Sequence, residues 1–252
     1  MRIGGCLLLL CFAVTSYADN AIGKVLIVKG VVSAQAAEKP PRILGKRSEI
    51  YQGDKIITAK KGFVVIKMID DSKVTLRPST EFVIDKYDQT KGAEKIEVSL
   101  VKGGLRALTG AIAKRRPEAY KMTTPVASLG IRGTDYSVRY CEADCEADED
   151  TYDQHEIIKT DCLFQLDGIP PGLYATVFED KIFGRQGNNE TVIDPPKAIY
   201  ADQSKLVCLA IVPKFIRHDP ILKLNTLSDD AIELFNILRE DLTERLECVV
   251  SD

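Results

Sequence analysis

The chain has no tryptophan, only two histidines and only three methionines in 252 residues. Neither histidine stands in a recognisable motif: His155 lies among acids, and His218 precedes Asp219-Pro220. The strings that mark a nucleophile elbow, a zinc-protease helix or a phosphate loop are missing as well, so nothing in the sequence marks an enzyme. An unmarked pair of carboxylates, brought together by folding, stays open as a hydrolytic alternative, carbohydrate-active or otherwise. Long apolar runs are also scarce. After the first residues, no stretch is apolar for the ~20 residues a spanning helix needs, so no membrane span is expected. Charge of one sign is not in excess, with 34 Lys and Arg against 37 Asp and Glu. With a pI near 5.6 and no aromatics among the basic residues, nucleic acid is not an expected partner.

What is present begins with a leader. Arg2, an apolar run from Leu7 to Val14 and the small residues of Ser16-Tyr17-Ala18 read as a signal peptide over residues 1–18, cut near Ala18. Cys11 follows Leu8-Leu9-Leu10 and Cys6 sits too early, so lipid anchoring is not expected. The expected location is periplasmic or secreted. The mature chain is long enough to bury about 70% of its unfolded surface.

Of seven cysteines, Cys6 and Cys11 fall in the leader and five remain. Export places these in an oxidising compartment, where disulfides are the default. Cys141 and Cys145 share one short polar loop and are the expected pair, worth about 2 kcal/mol by loop entropy. A Cys208–Cys248 staple, worth nearly 4 kcal/mol (about twice as much), is a second possibility. Pairing of Cys162 across the same loop is open. Cys141, Cys145, His155 and Cys162 are also the ligand types of a Cys3His zinc site. Oxidation removes the thiolates zinc needs, so no metal and no cofactor are expected. Glu142, Asp144, Glu146, Asp148, Glu149, Asp150 and Asp153 lack the turn glycine and ligand order of a calcium loop and read as a solvated acidic loop.

From Val25 to Tyr140, short runs of Val, Ile, Thr and Phe are punctuated by Gly, Asp and Pro. That pattern predicts a mainly β fold, antiparallel-rich, as a β-sandwich or a short stacked β-roll. A weak repeat recurs at Val28-Lys29-Gly30-Val31, Val101-Lys102-Gly103-Gly104-Leu105 and Phe178-Glu179-Asp180-Lys181-Ile182. It suits stacked β-layers, although strand-turn-strand units look alike in any fold. The expected division is a β-domain at 19–140, the acidic cysteine-bearing loop at 141–168, a continuation of the β-domain at 169–213, and a connector with one C-terminal α-helix at 214–252. Ser228 is the candidate N-cap of that helix, and Leu234, Phe235, Leu238, Leu242, Leu246 and Val249 its apolar stripe, expected to dock on the β-body.

The densest punctuation is Thr124-Pro125-Val126-Ala127-Ser128-Leu129-Gly130-Ile131-Arg132-Gly133-Thr134-Asp135-Tyr136, which can bend a β-chain twice. Gly53-Asp54-Lys55-Ile56-Ile57-Thr58, a hairpin around Asp70-Asp71-Ser72 and Pro78-Ser79-Thr80-Glu81-Phe82 precede it. In that order, these segments resemble the FecR domain over about residues 45–140. One departure is Asp71 in place of the usual turn glycine, tolerable because Asp visits the left-handed region. The resemblance implies a β-rich periplasmic interaction module. The family's namesake relays receptor occupancy to a sigma factor through a membrane span and a cytoplasmic segment, neither of which is expected here.

Lys102, Arg106, Lys114, Arg115, Arg116, Lys121, Arg132 and Arg139 face only Glu118 and Asp135 between residues 102 and 139. This could form an anion-binding face, with Lys114, Arg115, Arg116 and Arg132 as candidate binding residues. Alternatively Lys114-Arg115-Arg116 is a solvated turn and Arg132 pairs with Asp135. Thr124, Pro125, Gly130, Arg132, Gly133, Thr134 and Asp135 are the candidate structural motif. The expectation is a non-catalytic exported module that binds an envelope protein or anionic polymer in envelope sensing. A structural or adhesive envelope protein is a further alternative.

Overall fold

The computed structural model describes residues 20–142, 144–145, 158–219 and 221–237. The leader, most of the acidic loop with His155, and Cys248 lie outside the described residues. Alternation of buried and exposed positions along the strands builds a mainly β, antiparallel-rich architecture of two layers. Each strand turns one set of side chains into a shared core and the other set away.

The front layer runs in the order β4 (Glu49–Ile50), β1 (Gly23–Lys29), β6 (Phe63–Met68), β7 (Lys73–Leu76), β9 (Lys95–Leu108), β12 (Asp135–Cys141), β14 (Gly172–Val177), β17 (Ala198–Ala201), β18 (Leu206–Cys208). The back layer runs β3 (Arg42–Ile43), β2 (Val32–Gln35), β5 (Lys55–Thr58), β8 (Glu81–Asp88), β9, β10 (Tyr120–Thr123), β11 (Ser128–Arg132), β15 (Lys181–Gln186), β16 (Asn189–Ile193). The β9–β10 pair is parallel, and the other pairs are antiparallel. Outside both layers, β13 (Ile158–Lys159) pairs with β19 (Ile211–Val212).

The strand β9 belongs to both layers. Its first half pairs with β8 and β10 in the back, and its second half with β7 and β12 in front. The crossing is at Gly103, where φ is +81° and a Cβ would stand 2.4 Å from the Thr80 hydroxyl. Only glycine fits both demands.

The rest of the chain alternates in-layer hairpins with bends from one layer to the other, which is the stacked-roll form of the expected fold. The three repeat segments each straddle such a bend, with positive φ at Gly30, Gly103 and Asp180. Bends before β9 line one edge, joined by Ala59 N–H to Val31 O (2.9 Å) and Ser79 N–H to Ala59 O (3.2 Å). Bends after β11 line the opposite edge, since Asp135 pairs with Leu108 at the far end of β9. Strands β14 to β18 extend both layers beyond the acidic loop.

Between the layers lies one apolar core, including Val25, Ile66, Leu76, Leu100, Tyr136, Leu173 and Ile199. The front layer's outer face is also covered. Phe215 and Ile216, on α2 (Lys214–Arg217), pack on Tyr174 and Tyr200. Ile232, on α3 (residues 229–237), packs on Ile27, Phe63 and Val65. Between them Ile221, Leu224 and Leu227 pack against the second cluster, and polar contacts join in: Arg77 pairs with Asp219, the Thr75 hydroxyl donates to Asn225 Oδ1 (3.2 Å), and Lys73 Nζ donates to Leu227 O (2.8 Å). Residues 213–219 and 221–237 thus form a strap across the front layer.

Two expectations are corrected. Cys208 is bonded to Cys162 rather than held for Cys248, because the Thr160–Leu209 hydrogen bonding brings the two segments together. On α3, Ile232 and Asn236 face the sheet, while Leu234, Phe235 and Ile237 are exposed. Ser228 does cap the helix, its hydroxyl accepting from Ala231 N–H (3.2 Å).

Candidate binding groove

The signature from Thr124 to Asp135 divides into a hairpin, a strand and a bend. Thr124 closes the β10–β11 hairpin: its hydroxyl donates to Ala127 O (2.7 Å), and its N–H bonds the same oxygen (2.9 Å). Pro125 sits inside that turn, where a fixed φ and no N–H are acceptable. After β11, Gly133 takes φ +56° with its hypothetical Cβ 3.3 Å from the Lys114 Cα, and the chain crosses to the front layer. Thr134 is fully buried, its hydroxyl donating to Glu179 O on the neighbouring bend. Asp135 accepts two bonds from Arg106, at 2.8 and 2.6 Å, and Arg106 lies over the Phe178 ring at 3.9 Å. The expected Arg132–Asp135 pair is therefore corrected. The two side chains leave opposite sides of a bend, and Asp135 has a buried guanidinium of its own.

Arg132 instead points from the outer face of the back layer. There it lines a groove of about 410 Å³ with Lys121, Arg185, Ser128, Gly130 and Phe183, walled by Pro117 and Glu118. Cross-strand register builds the groove. Gly130 stands between Lys121 and Phe183, Arg132 opposite Lys181, and Ser128 opposite Arg185. Among the described residues Arg132 makes no hydrogen bond or ion pair, and Lys121 and Lys181 make no ion pair. Arg185 is held by Glu190 at 2.5 Å. Elsewhere on the same face, Lys55 and Lys102 both reach Glu81 (2.8 and 3.1 Å), and Lys95 reaches Glu97 (2.8 Å). Glu97 lies near enough to Lys121, and Asp194 to Lys181, for their charges to interact, so among these groove-side cations Arg132 is the one without a carboxylate among the described residues.

The other candidate cations divide. Arg116 bonds Glu94 and Glu118, both at 3.1 Å, and Arg115 lies 3.8 Å from Glu94. Lys114 and these two arginines belong to α1 (Ala111–Arg115) and its C-cap, beside the groove rather than within it. Arg185, Lys181 and Phe183 escaped the sequence reading because they come from β15, some fifty residues along the chain. Their alternation with Ile182 and Gly184 was the available signal.

One carboxylate, Glu118, lines the groove. Its own backbone N–H and then Arg116 hold it below the ordinary carboxylate range. A general acid needs the opposite shift. Burial pushes the Tyr120 phenol up to about 12, against the hydrogen bond from Tyr136, so this hydroxyl stays protonated. Disulfides join Cys141 to Cys145 and Cys162 to Cys208, which leaves none of these sulfurs as a thiolate for the Cys3His set. Among the described residues, no helix is long and apolar enough to cross a membrane.

The family model described as FecR protein matches residues 54–148, so that segment is similar to the FecR domain. No curated protein matches the chain. Two crystal structures of a proposed anti-sigma factor from Parabacteroides distasonis are similar at 12% identity and a TM-score of 0.40, over 63% of this chain. The match spans 59% of the length of those structures.

Proposed function

We propose that the protein is a non-catalytic FecR-type module of the cell envelope, exported through its leader, which binds another envelope component through the cationic groove in envelope sensing. The observation that carries this reading is Arg132. The family signature delivers a guanidinium to an open β-face and gives it no internal partner among the described residues, whereas Arg106 in the same charge cluster is fully satisfied. The FecR match supports a protein whose work is contact rather than chemistry. Two disulfides support a location outside the cytoplasm. The experiment is gentle crosslinking of tagged protein in its native envelope, comparing wild type with Arg132→Glu combined with Lys121→Glu. A partner captured by wild type and lost from the double variant is expected. Identical captures would place binding elsewhere and overturn the groove.

A further inference from the structure

Gly130 is the one groove residue the fold does not explain. It lies inside β11, bonded to β10 on one side and β15 on the other, and its φ is not positive. A Cβ there would meet Phe183 Cβ at 3.6 Å and Phe183 O at 3.8 Å, both ordinary contacts. Glycine weakens a strand interior, and here no bend or close approach of backbone asks for it. What its missing side chain does is leave the groove floor open between Lys121 and Phe183.

We propose that this notch is a saccharide site for a carboxylate-bearing glycan of uronate type, a proposal that rests on the binding-module reading above. Three observations select that chemistry. The groove volume lies within the usual span for small-ligand sites, roughly 300–1,000 Å³. The half-buried Phe183 ring offers a flat apolar surface beside the notch, suited to the C–H face of a pyranose. Around it Arg132 and Lys121 supply donors matched to carboxylates and ring hydroxyls, and Arg185 keeps its terminal N–H groups beyond the Nε bond to Glu190.

A peptide fits less well. The backbone of β10, β11 and β15 is committed to ladders on both sides, so no edge is available for an added strand. A peptide's N–H groups would find only Glu118 and Ser128 as side-chain acceptors. Sugar hydroxyls donate and accept alike.

The test is titration of the purified protein with a galacturonate hexamer, a neutral galactose hexamer and a hexaglutamate peptide, at low and at physiological salt. Wild type should bind the galacturonate hexamer, and more weakly as salt screens the contacts. It should not bind the galactose hexamer. Gly130→Leu should weaken binding by at least about tenfold, as should Arg132→Gln. Gly130→Leu should melt no lower than wild type, since a side chain is sterically free to enter. Wild-type affinity in Gly130→Leu, or a melting point several degrees lower, would overturn the role given to Gly130. Hexaglutamate binding as tightly as the uronate would overturn the saccharide and point to an acidic protein. If the uronate fails while envelope capture still depends on Arg132 and Lys121, the ligand class falls and the binding module stands. If capture is also independent of those two residues, both fall.

Discussion

Three residues apart in one signature, two glycines have unrelated reasons to exist. Gly133 occupies a left-handed bend tight against α1, and β-branching is least tolerated there. Gly133→Val should cost about 2–3 kcal/mol, read as a clear fall in thermal midpoint. An unchanged midpoint would show the bend to be ordinary. Arg106 and Asp135 are a different kind of anchor, a bidentate pair with side chains only 9% and 10% exposed. Removing the cation strands a buried carboxylate, so Arg106→Ala should cost about 3–5 kcal/mol in urea unfolding. A loss near zero would mean that water reaches Asp135 freely. Arg132→Gln should leave the unfolding curve in place, because it has no partner to lose among the described residues.

At the scale of elements, charge adds a pH-sensitive hold to the apolar contacts of the strap across the front layer. Asp229 lies 2.5 Å from Lys67 and 2.8 Å from Lys73, and these two cations pull its carboxyl below the ordinary range. A depressed carboxylate contributes stability above its unfolded value, near ~4, and loses it as pH falls through the lower folded value. Lys67 is raised in turn, chiefly by Asp229, so its share is lost only at alkaline pH. Hydrogen exchange should therefore show residues 229–237 protected across the neutral range and released on acidification before the core strands. Release of strap and core together would contradict a separate latch.

The Cys162–Cys208 bridge closes a 46-residue separation and should contribute about 4 kcal/mol by loop entropy, against about 2 for Cys141–Cys145. Serine replacement of each pair, compared by melting, checks that order.

These elements also show what could be read in advance. The turn-forming residues at Asp70-Asp71-Ser72, Thr124-Pro125 and Gly133 were legible because turn chemistry is local. Asp71 does take φ +66°. The recurring bends at Gly30, Gly103 and Asp180 were visible as a faint repeat, since each needs a residue tolerant of positive φ. The partner of Cys208, the satisfaction of Asp135 by Arg106 and the arrival of Arg185 beside Ser128 were not legible. Each depends on which strand lies next to which across the layers. The docked face of α3 misled for a related reason. Its apolar stripe is a property of the helix, whereas its orientation is set by Ser228, Asp229 and the Asn236 amide reaching Leu26 O (3.2 Å).

Over the whole molecule, the FecR match ends at residue 148, but the core does not. Leu173, Ala175, Val177, Ile182, Ile193 and Ile199 fill the same interior as Val25 and Leu76. The later strands also supply Phe183 and Arg185 to the groove, so the matched segment alone holds an incomplete site. Both layers are then unequal in use: the front is roofed by the strap, and the back is left open around Arg132.

The double membership of β9 has a mechanical consequence. Its entry turn is exposed from Gln89 to Ala93, so a protease can reach the peptide bonds there. A single cut would leave β9 on the downstream piece, its first half still paired with β8 and its second half with β7 of the upstream one. The nicked protein would be a two-part complex that shares a donated strand, eluting as one species until denatured. Pieces that separate on native elution would show that this pairing does not hold. If they stay together and also rejoin after denaturation, the polypeptide can be supplied as two unequal pieces, a split reporter for whatever fills the groove.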